Sequence, residues 1–271
     1  MTLTIRNIIS IIKAQWVGKS DSAVIENISI DSRSLQNGDA TLFFAISGPN
    51  HDGHSFINEL TLKGVHYFVV TKIPENTVSP VNFLVVDDTL VALQNFAAFY
   101  RSQFEFPIIG ITGSNGKTIL KEWLNFLLNP DYNVIRSPKS YNSQVGVPLS
   151  ILGINEKHNL GIFEAGISST GEMEKLQKII QPTIGILSNI GSLFSTIVSY
   201  YGTLYNNGIQ IPVNFYCEHY VSLTPTNYSP TQIRLTNSLF NSLNPFKYSS
   251  NKNYLGRTQF VRTNSIYNPY A

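Results

Sequence analysis

In the opening stretch TIRNIISIIKAQW, the isoleucines at 5, 8, 9 and 12 fall at i, i+3, i+4 and i+7, the spacing of one buried helix face. The period then changes. ATLFFAI (40–46), HYFVVT (66–71) and NFLVVD (82–87) are short apolar runs rich in β-branched and aromatic residues. Bounded by Gly, Pro, Asn or Asp, they predict strands. FINELTLKG predicts a helix ending at Gly64, and TLVALQNFAAFYR predicts one with Leu90, Leu93, Ala97 and Tyr100 on one face. Together they make a small α/β domain over residues 1–104, and FEFP at 104–107 joins it to a second unit.

That unit, residues 105–192, opens with a predicted strand PIIGIT, a glycine-rich loop, and a helix in which Ile119, Leu120, Trp123, Leu124, Leu127 and Leu128 recur at helical spacing. VPLSILG follows, then strand LGIFEAG, a helix from about 170 to 180 and strand TIGILSNIG. Ser169 and Glu172 have capping-box spacing ahead of that helix. Alternating strands and helices with two-sided apolar strands predict a parallel sheet covered by helices. The fold class is therefore α/β. After Gly191 the pattern fails: possible strands remain, but no helical periodicity and no βαβ unit. Residues 193–271 are expected to be an irregular, poorly ordered C-terminal tail.

With 271 residues, 42% of them hydrophobic, the chain can bury a sizeable core, and its length suits two domains. No apolar run is long enough to span a bilayer, and the N-terminal segment lacks the pattern of a signal peptide, so neither membrane insertion nor export is expected. Cys217 is the single cysteine, which excludes an internal disulfide and agrees with a reducing cytoplasm. The net charge of +2 hides an asymmetry. Residues 193–271 hold five of the 19 basic residues and only one acid, Glu218, so the two parts carry −2 and +4. Ten of the fourteen tyrosines also lie there, which marks a boundary in composition near 192.

The chemistry centres on GITGSNGKT, Gly110 to Thr118. A strand feeding a glycine-rich turn that opens a helix makes an anion site, because free backbone N–H groups and the positive helix end face the ligand. Gly113, Ser114, Asn115 and Gly116 would wrap the phosphates of ATP, Lys117 would reach the β and γ phosphates, and the Thr118 hydroxyl would bind Mg²⁺. The common consensus wants glycine where this chain has Ile111. Glu164, at the end of a predicted parallel strand, is either a Mg²⁺ ligand in the same crevice or a solvated strand-end carboxylate. Asn142, in KSYNSQVGVPLSIL, lies in an active-site loop or in an ordinary helix-capping loop. Ser32 and Arg33, in DSRSLQNGD, belong to a surface loop or to an anion and sugar contact. His51 and His54 of HDGH have no third ligand nearby and read as structural or as part of a substrate loop.

Taken together, IDSRSLQNGDATLFFAISGPNHDGHSFI, GITGSNGKT, YNSQVGVPLSIL, FEAGIS and ILSNIG resemble the Mur ligase family over about residues 20–192. Their combination and order are more specific than any one motif, and the family's phosphate loop shares the Gly113 pattern. The resemblance implies an ATP-dependent amide ligase of cytoplasmic peptidoglycan precursor synthesis, of the type that joins D-alanyl-D-alanine to UDP-N-acetylmuramoyl-tripeptide. It implies a first domain that holds the UDP-sugar peptide, with Ser32 and Arg33 in the uridine-diphosphate segment, and a P-loop ATPase domain at 105–192. Lys117 and Glu164 would be catalytic, Gly113 to Thr118 would bind ATP, Thr118 and Glu164 would hold Mg²⁺, and Asn142 would line the substrate site. The reaction would proceed through an acyl phosphate. No nucleic-acid partner is expected.

The resemblance stops near Gly191. The family's NIG asparagine, Asn189 here, is followed by a histidine, whereas this chain has none before His219. Nothing after 192 matches the family's modified lysine or its third domain, so the central domain is expected to be partial. Two expectations stand: a ligase whose chain ends early, or a truncated or frame-shifted product that retains nucleotide or UDP-sugar binding without catalysis. A folylpolyglutamate-type ligase is disfavoured by the first domain.

Overall fold

The computed structural model describes residues 3–188, apart from 34, 36–37, 49–50 and 78–80, together with short strands at 204–206, 209–211, 219–224 and 232–234. The expectations for Asn189 and for most of 193–271 lie outside the described residues. Contacts divide the chain into two compact units, Met1–Gln103 and Phe104–Ala271.

In the first unit, helix α1 (Ile5–Ile12) starts at Thr4, whose hydroxyl accepts from Asn7 N while the Asn7 side chain accepts from Thr4 N. This reciprocal cap satisfies two free N–H groups. Ile5, Ile8 and Ile12 are buried as their spacing predicts, and Ile9 lies at the margin of the face. A five-stranded sheet is built from β1 (Gln15–Val17), β2 (Asn27–Ser29), β3 (Thr41–Phe44), β4 (Tyr67–Val70) and β5 (Asn82–Val85), in the order β1-β5-β4-β3-β2. All pairs are parallel except β1 with β5. The apolar runs predict β3, β4 and β5. The edge strands β1 and β2 are half polar and carry no such signal.

Alternation sorts the side chains between two faces. Phe43, Phe68 and Phe83 occupy facing positions in neighbouring strands, with ring centroids 6.2 and 6.1 Å apart, and pack with Ile57 and Leu60 of α2 (Ile57–Leu62). On the other face Phe44 meets Phe96 of α3 (Thr89–Arg101), with α1 beside α3. The buried side of α3 is Ala92, Leu93, Phe96 and Ala97, rotated from the expected one, so that Leu90 and Tyr100 fall at its edges. Of the HDGH histidines, His54 is a buried brace. Its Nε2 accepts from Thr71 N at 3.0 Å and its Nδ1 lies 2.7 Å from Asp52 Oδ1, while His51 stacks on Phe56.

In the second unit the strands β6 (Ile108–Thr112), β7 (Val134–Arg136), β8 (Leu160–Glu164) and β9 (Ile184–Leu187) form a parallel sheet in the order β7-β8-β6-β9. Described as well are β10 (His219–Thr224), parallel to β9, and β11 (Gln232–Arg234), antiparallel to β10. Helix α4 (Lys117–Leu128) covers one face, setting Leu120, Leu124 and Leu128 on Ile109, Ile111, Ile162 and Ile186. Helices α5 (Gly146–Ile151) and α6 (Glu172–Ile180) pack together, with α5 also against β8. The sequence pattern counts Ile119, Trp123 and Leu127 with the buried stripe of α4, but they are exposed, at 59%, 66% and 44%. The row of α4 that meets the sheet is Leu120, Leu124 and Leu128, with Lys121 buried beside it. Helix α6 begins at Glu172 behind Gly171, two residues later than expected. Glu172 still reaches back, accepting from Ser168 N at 2.6 Å and Ser169 N at 2.9 Å, so half of the expected capping box forms.

Candidate functional site

The sheet order explains where a site can form. The chain leaves the central strand β6 toward β7 through α4, and returns past β6 to reach β9 through α6. Such a reversal opens a crevice at the carboxyl ends of the strands. Gly113–Gly116 follows β6, Ser137 follows β7, Glu164 ends β8 and Ser188 follows β9.

The loop is held from three sides. Gly113 has φ +130° and Gly116 has φ +80°, left-handed values that disfavour a side chain. Thr112 Oγ1 donates to Ala165 O at 2.8 Å, and Ser188 Oγ lies within hydrogen-bond distance of Thr112 O (3.1 Å) and Asn115 O (2.6 Å). Gly116 caps α4 without a side-chain hydrogen bond of its own, and the positive end of a 12-residue helix faces the loop. Lys117 lies across that loop, its Nζ donating to Gly113 O at 2.6 Å. Burial lowers the Lys117 pKa from its ordinary value, and the nearby Glu164 charge opposes that shift.

Glu164 is completely buried, which removes the solvated strand-end alternative. Its Oε2 accepts from Thr118 Oγ1 at 3.1 Å and lies 3.5 Å from Asn142 Nδ2. Its backbone N–H donates to Ser137 Oγ at 3.1 Å. Ser140 Oγ stands 3.4 Å from Thr118 Oγ1. Lys121 Nζ is 2.9 Å from Glu164 Oε1, a close ion pair between two fully buried side chains, although its angle leaves Oε1 without a hydrogen bond. Asn142 is fixed by its own backbone, since Gly166 N donates to Asn142 O at 2.7 Å. Gly166 carries no side chain where a Cβ would fall 2.9 Å from the Asn142 amide.

Magnesium takes oxygen ligands, usually one or two from protein and the rest from phosphate and water. The Thr118 hydroxyl and Oε2 of the Glu164 carboxylate supply two such oxygens beside the glycine loop, while Oε1 is turned to Lys121. The donor set therefore fits a cation shared with a phosphate. Among the described residues, no group of three His, Cys, Asp or Glu side chains could hold a metal by protein ligands alone.

The second unit thus brings together Gly113 to Thr118, Asn142 and Glu164. Ser32 and Arg33 stand in the first unit, in the turn after β2. There the exposed Arg33 guanidinium pairs with both Asp31 oxygens, at 2.9 and 2.8 Å, and the Asp31 pKa falls to about 2, chiefly through that hydrogen bonding. Sequence reasoning misses Lys121, Ser137, Ser140 and Ser188. Lys121 alone carried a signal, a charged residue beside the apolar stripe Leu120, Leu124 and Leu128.

Comparison with known proteins covers the same span. The model for the Mur ligase family, catalytic domain, matches residues 24–101, and that for the Mur ligase middle domain matches 111–193. A UDP-N-acetylmuramoyl-tripeptide--D-alanyl-D-alanine ligase of Synechocystis is 39% identical over 173 residues, covering 64% of this chain and 38% of the relative. The Bacillus subtilis ligase of the same name is 31% identical over 189 residues, 69% of this chain and 41% of the relative. The chain thus spans about two fifths of the length of these relatives. Among solved structures, MurF from Acinetobacter baumannii matches with a TM-score of 0.64 at 27% identity, over 71% of this chain and 42% of that one. MurF from Thermotoga maritima in complex with ADP matches with a TM-score of 0.54 at 28% identity, over 61% and 37%. Two matched domains in family order, relatives similar across both, and a strand-end crevice carrying the family's loop agree: the chain belongs to the Mur ligase family.

Proposed function

We propose that this chain carries the UDP-sugar-binding domain (1–104) and part of the central ATP-binding domain (105–192) of an ATP-dependent ligase that adds D-alanyl-D-alanine to UDP-N-acetylmuramoyl-tripeptide. The observation that carries this reading is the buried Glu164 carboxylate, 3.1 Å from the Thr118 hydroxyl, beside a glycine loop crossed by Lys117. That combination suits a nucleotide's phosphates with a magnesium ion. The names of the similar proteins supply the substrates, and the solved ADP complex supports a nucleotide as ligand of the loop.

In the proposed reaction the terminal carboxylate of the tripeptide attacks the γ-phosphorus of ATP, ADP leaves, and the acyl phosphate is opened by the amine of D-alanyl-D-alanine with loss of phosphate. Phosphoryl transfer of this kind needs alignment and charge stabilisation more than a covalent catalyst. The N–H groups of Gly113 to Lys117 orient the phosphates, and Lys117, held at the loop, follows the negative charge that develops on the transferring group. Thr118 and Glu164 would hold Mg²⁺, which when bound supplies Lewis-acid neutralisation of the phosphates. Asn142, whose Nδ2 lies 3.5 Å from Glu164 Oε2, would orient the attacking carboxylate. Ser32 and Arg33 are proposed to contact the uridine diphosphate of the acceptor, with Arg33 exchanging Asp31 for phosphate oxygens. A cytoplasmic location follows from such substrates, and no helix among the described residues is long and apolar enough to cross a membrane.

A second reading rests on the matched span, which ends at residue 193 within this chain: binding of nucleotide or UDP-sugar peptide without turnover. Calorimetric titration with ATP and Mg²⁺, and separately with the UDP-sugar tripeptide, tests binding. Lys117→Ala should weaken ATP at least about tenfold, a loss of about 1.4 kcal/mol. Equal affinity in both proteins would remove the loop assignment. Phosphate release dependent on D-alanyl-D-alanine separates the two readings: release supports the ligase, and binding without release supports the non-catalytic chain.

A further inference from the structure

We propose that Lys121 is a positioning residue for the cation site, holding Glu164 in the orientation that turns one carboxylate oxygen toward Thr118. The proposal rests on the nucleotide and magnesium reading above. Lys121 lies one turn beyond Lys117 on α4 and is fully buried. Its Nζ donates to Ser137 O at 2.9 Å and to Lys139 O, and stands 2.9 Å from Glu164 Oε1. One ammonium therefore joins three elements: the first helix after the loop, the end of β8, and the segment that follows β7.

Each tie has a consequence. With Oε1 drawn to Lys121, the other oxygen, Oε2, is the one that faces Thr118 and Asn142. The two carbonyl contacts fasten the 137–140 turn, in which Lys139 takes a left-handed backbone with φ +49°. That turn brings Ser140 Oγ to 3.4 Å from Thr118 Oγ1. Stability alone gives no reason for this arrangement. A buried ion pair seldom outperforms apolar residues of equal volume, and Lys121 sits beside the leucines that pack on the sheet. An outer residue that orients a metal-binding carboxylate accounts for the approach to Glu164, and the same Nζ also lies 3.3 Å from Glu122 Oε1 on its own helix.

The test compares ADP affinity in Mg²⁺ with ADP affinity in EDTA for the full chain, by calorimetry, with thermal melts to confirm folding. For the unaltered chain, Mg²⁺ should tighten ADP. In Lys121→Met that magnesium-dependent gain should fall about tenfold or more, as when outer partners of metal ligands are removed. Affinity in EDTA should hold, because Gly113 to Lys117 are untouched. A folded Lys121→Met that keeps the whole magnesium gain would overturn the proposal alone. An unaltered chain that binds no ADP, or gains nothing from Mg²⁺, would instead sink the underlying reading. Since Lys121→Met strands a buried carboxylate and can unfold the chain, the double variant Lys121→Met/Glu164→Gln provides the second measurement. If Lys121 acts through Glu164, the double variant matches Glu164→Gln in both conditions. A further loss of magnesium gain in the double variant would refute action through the carboxylate.

Discussion

At residue scale, Gly116 illustrates how a backbone requirement can be separated from a packing one. Its φ of +80° lies in the left-handed region, yet a Cβ there would meet no atom within 4 Å. Gly116→Ala therefore pays only the conformational penalty, about 1–2 kcal/mol, and urea unfolding should show that loss with the fold retained. Gly166 differs, because its added Cβ would press on the Asn142 amide and move it from Glu164. Motif residues were legible because the proposed phosphate binding prescribes their type and spacing: glycines where amides would approach an anion, then Lys117 and Thr118. The residues that brace them were not. Ser137, Ser140 and Ser188 come from segments distant in sequence, and a serine in a loop has no pattern of its own.

At the scale of elements, the His54 turn ties β3 to β4 and makes a testable pH effect. Asp52 has its pKa lowered to about 2, first by the Ser47 hydroxyl, then by the His54 backbone N–H and ring. The unfolded chain's aspartate titrates at about 3.9. Because the folded value is the lower, the stabilisation is complete above pH about 4 and is lost as pH falls toward 2. Asp52→Asn should lower the urea midpoint at neutral pH, and the gap to the unaltered chain should narrow across that window. Solvent screening keeps the effect modest, since Asp52 is half exposed. Element types were legible wherever apolar runs were strong, as for β3, β4, β5, β6 and β8. Which helix face turns inward was less so. In α4 seven of twelve residues are apolar, so Trp123 fits a stripe on paper while the sheet accepts only Leu120, Leu124 and Leu128. The strands β1 and β2 were missed because an edge strand needs little apolar surface.

At the scale of the whole molecule, each of the two compact units has a core of its own, and each proposed ligand has its own marker segment. Hydrogen exchange should show Mg²⁺ and ADP protecting 110–118, 137–142 and 164–166, with no change in β3 and β4. The UDP-sugar tripeptide should protect 29–33 in the first unit. Protection of the first unit by ADP, with none at 110–118, would contradict the assignment of the loop. The sequence by itself determined the α/β class, the glycine loop between strand and helix and the family, because periodicity and motif spacing are local properties that one chain displays in order. Only the tertiary structure decided that Glu164 is buried, that its carboxylate is divided between Thr118 and Lys121, and that four strand ends converge on one crevice. Those facts depend on strand order, and parallel strands with crossover connections place side by side residues that the sequence keeps tens of positions apart.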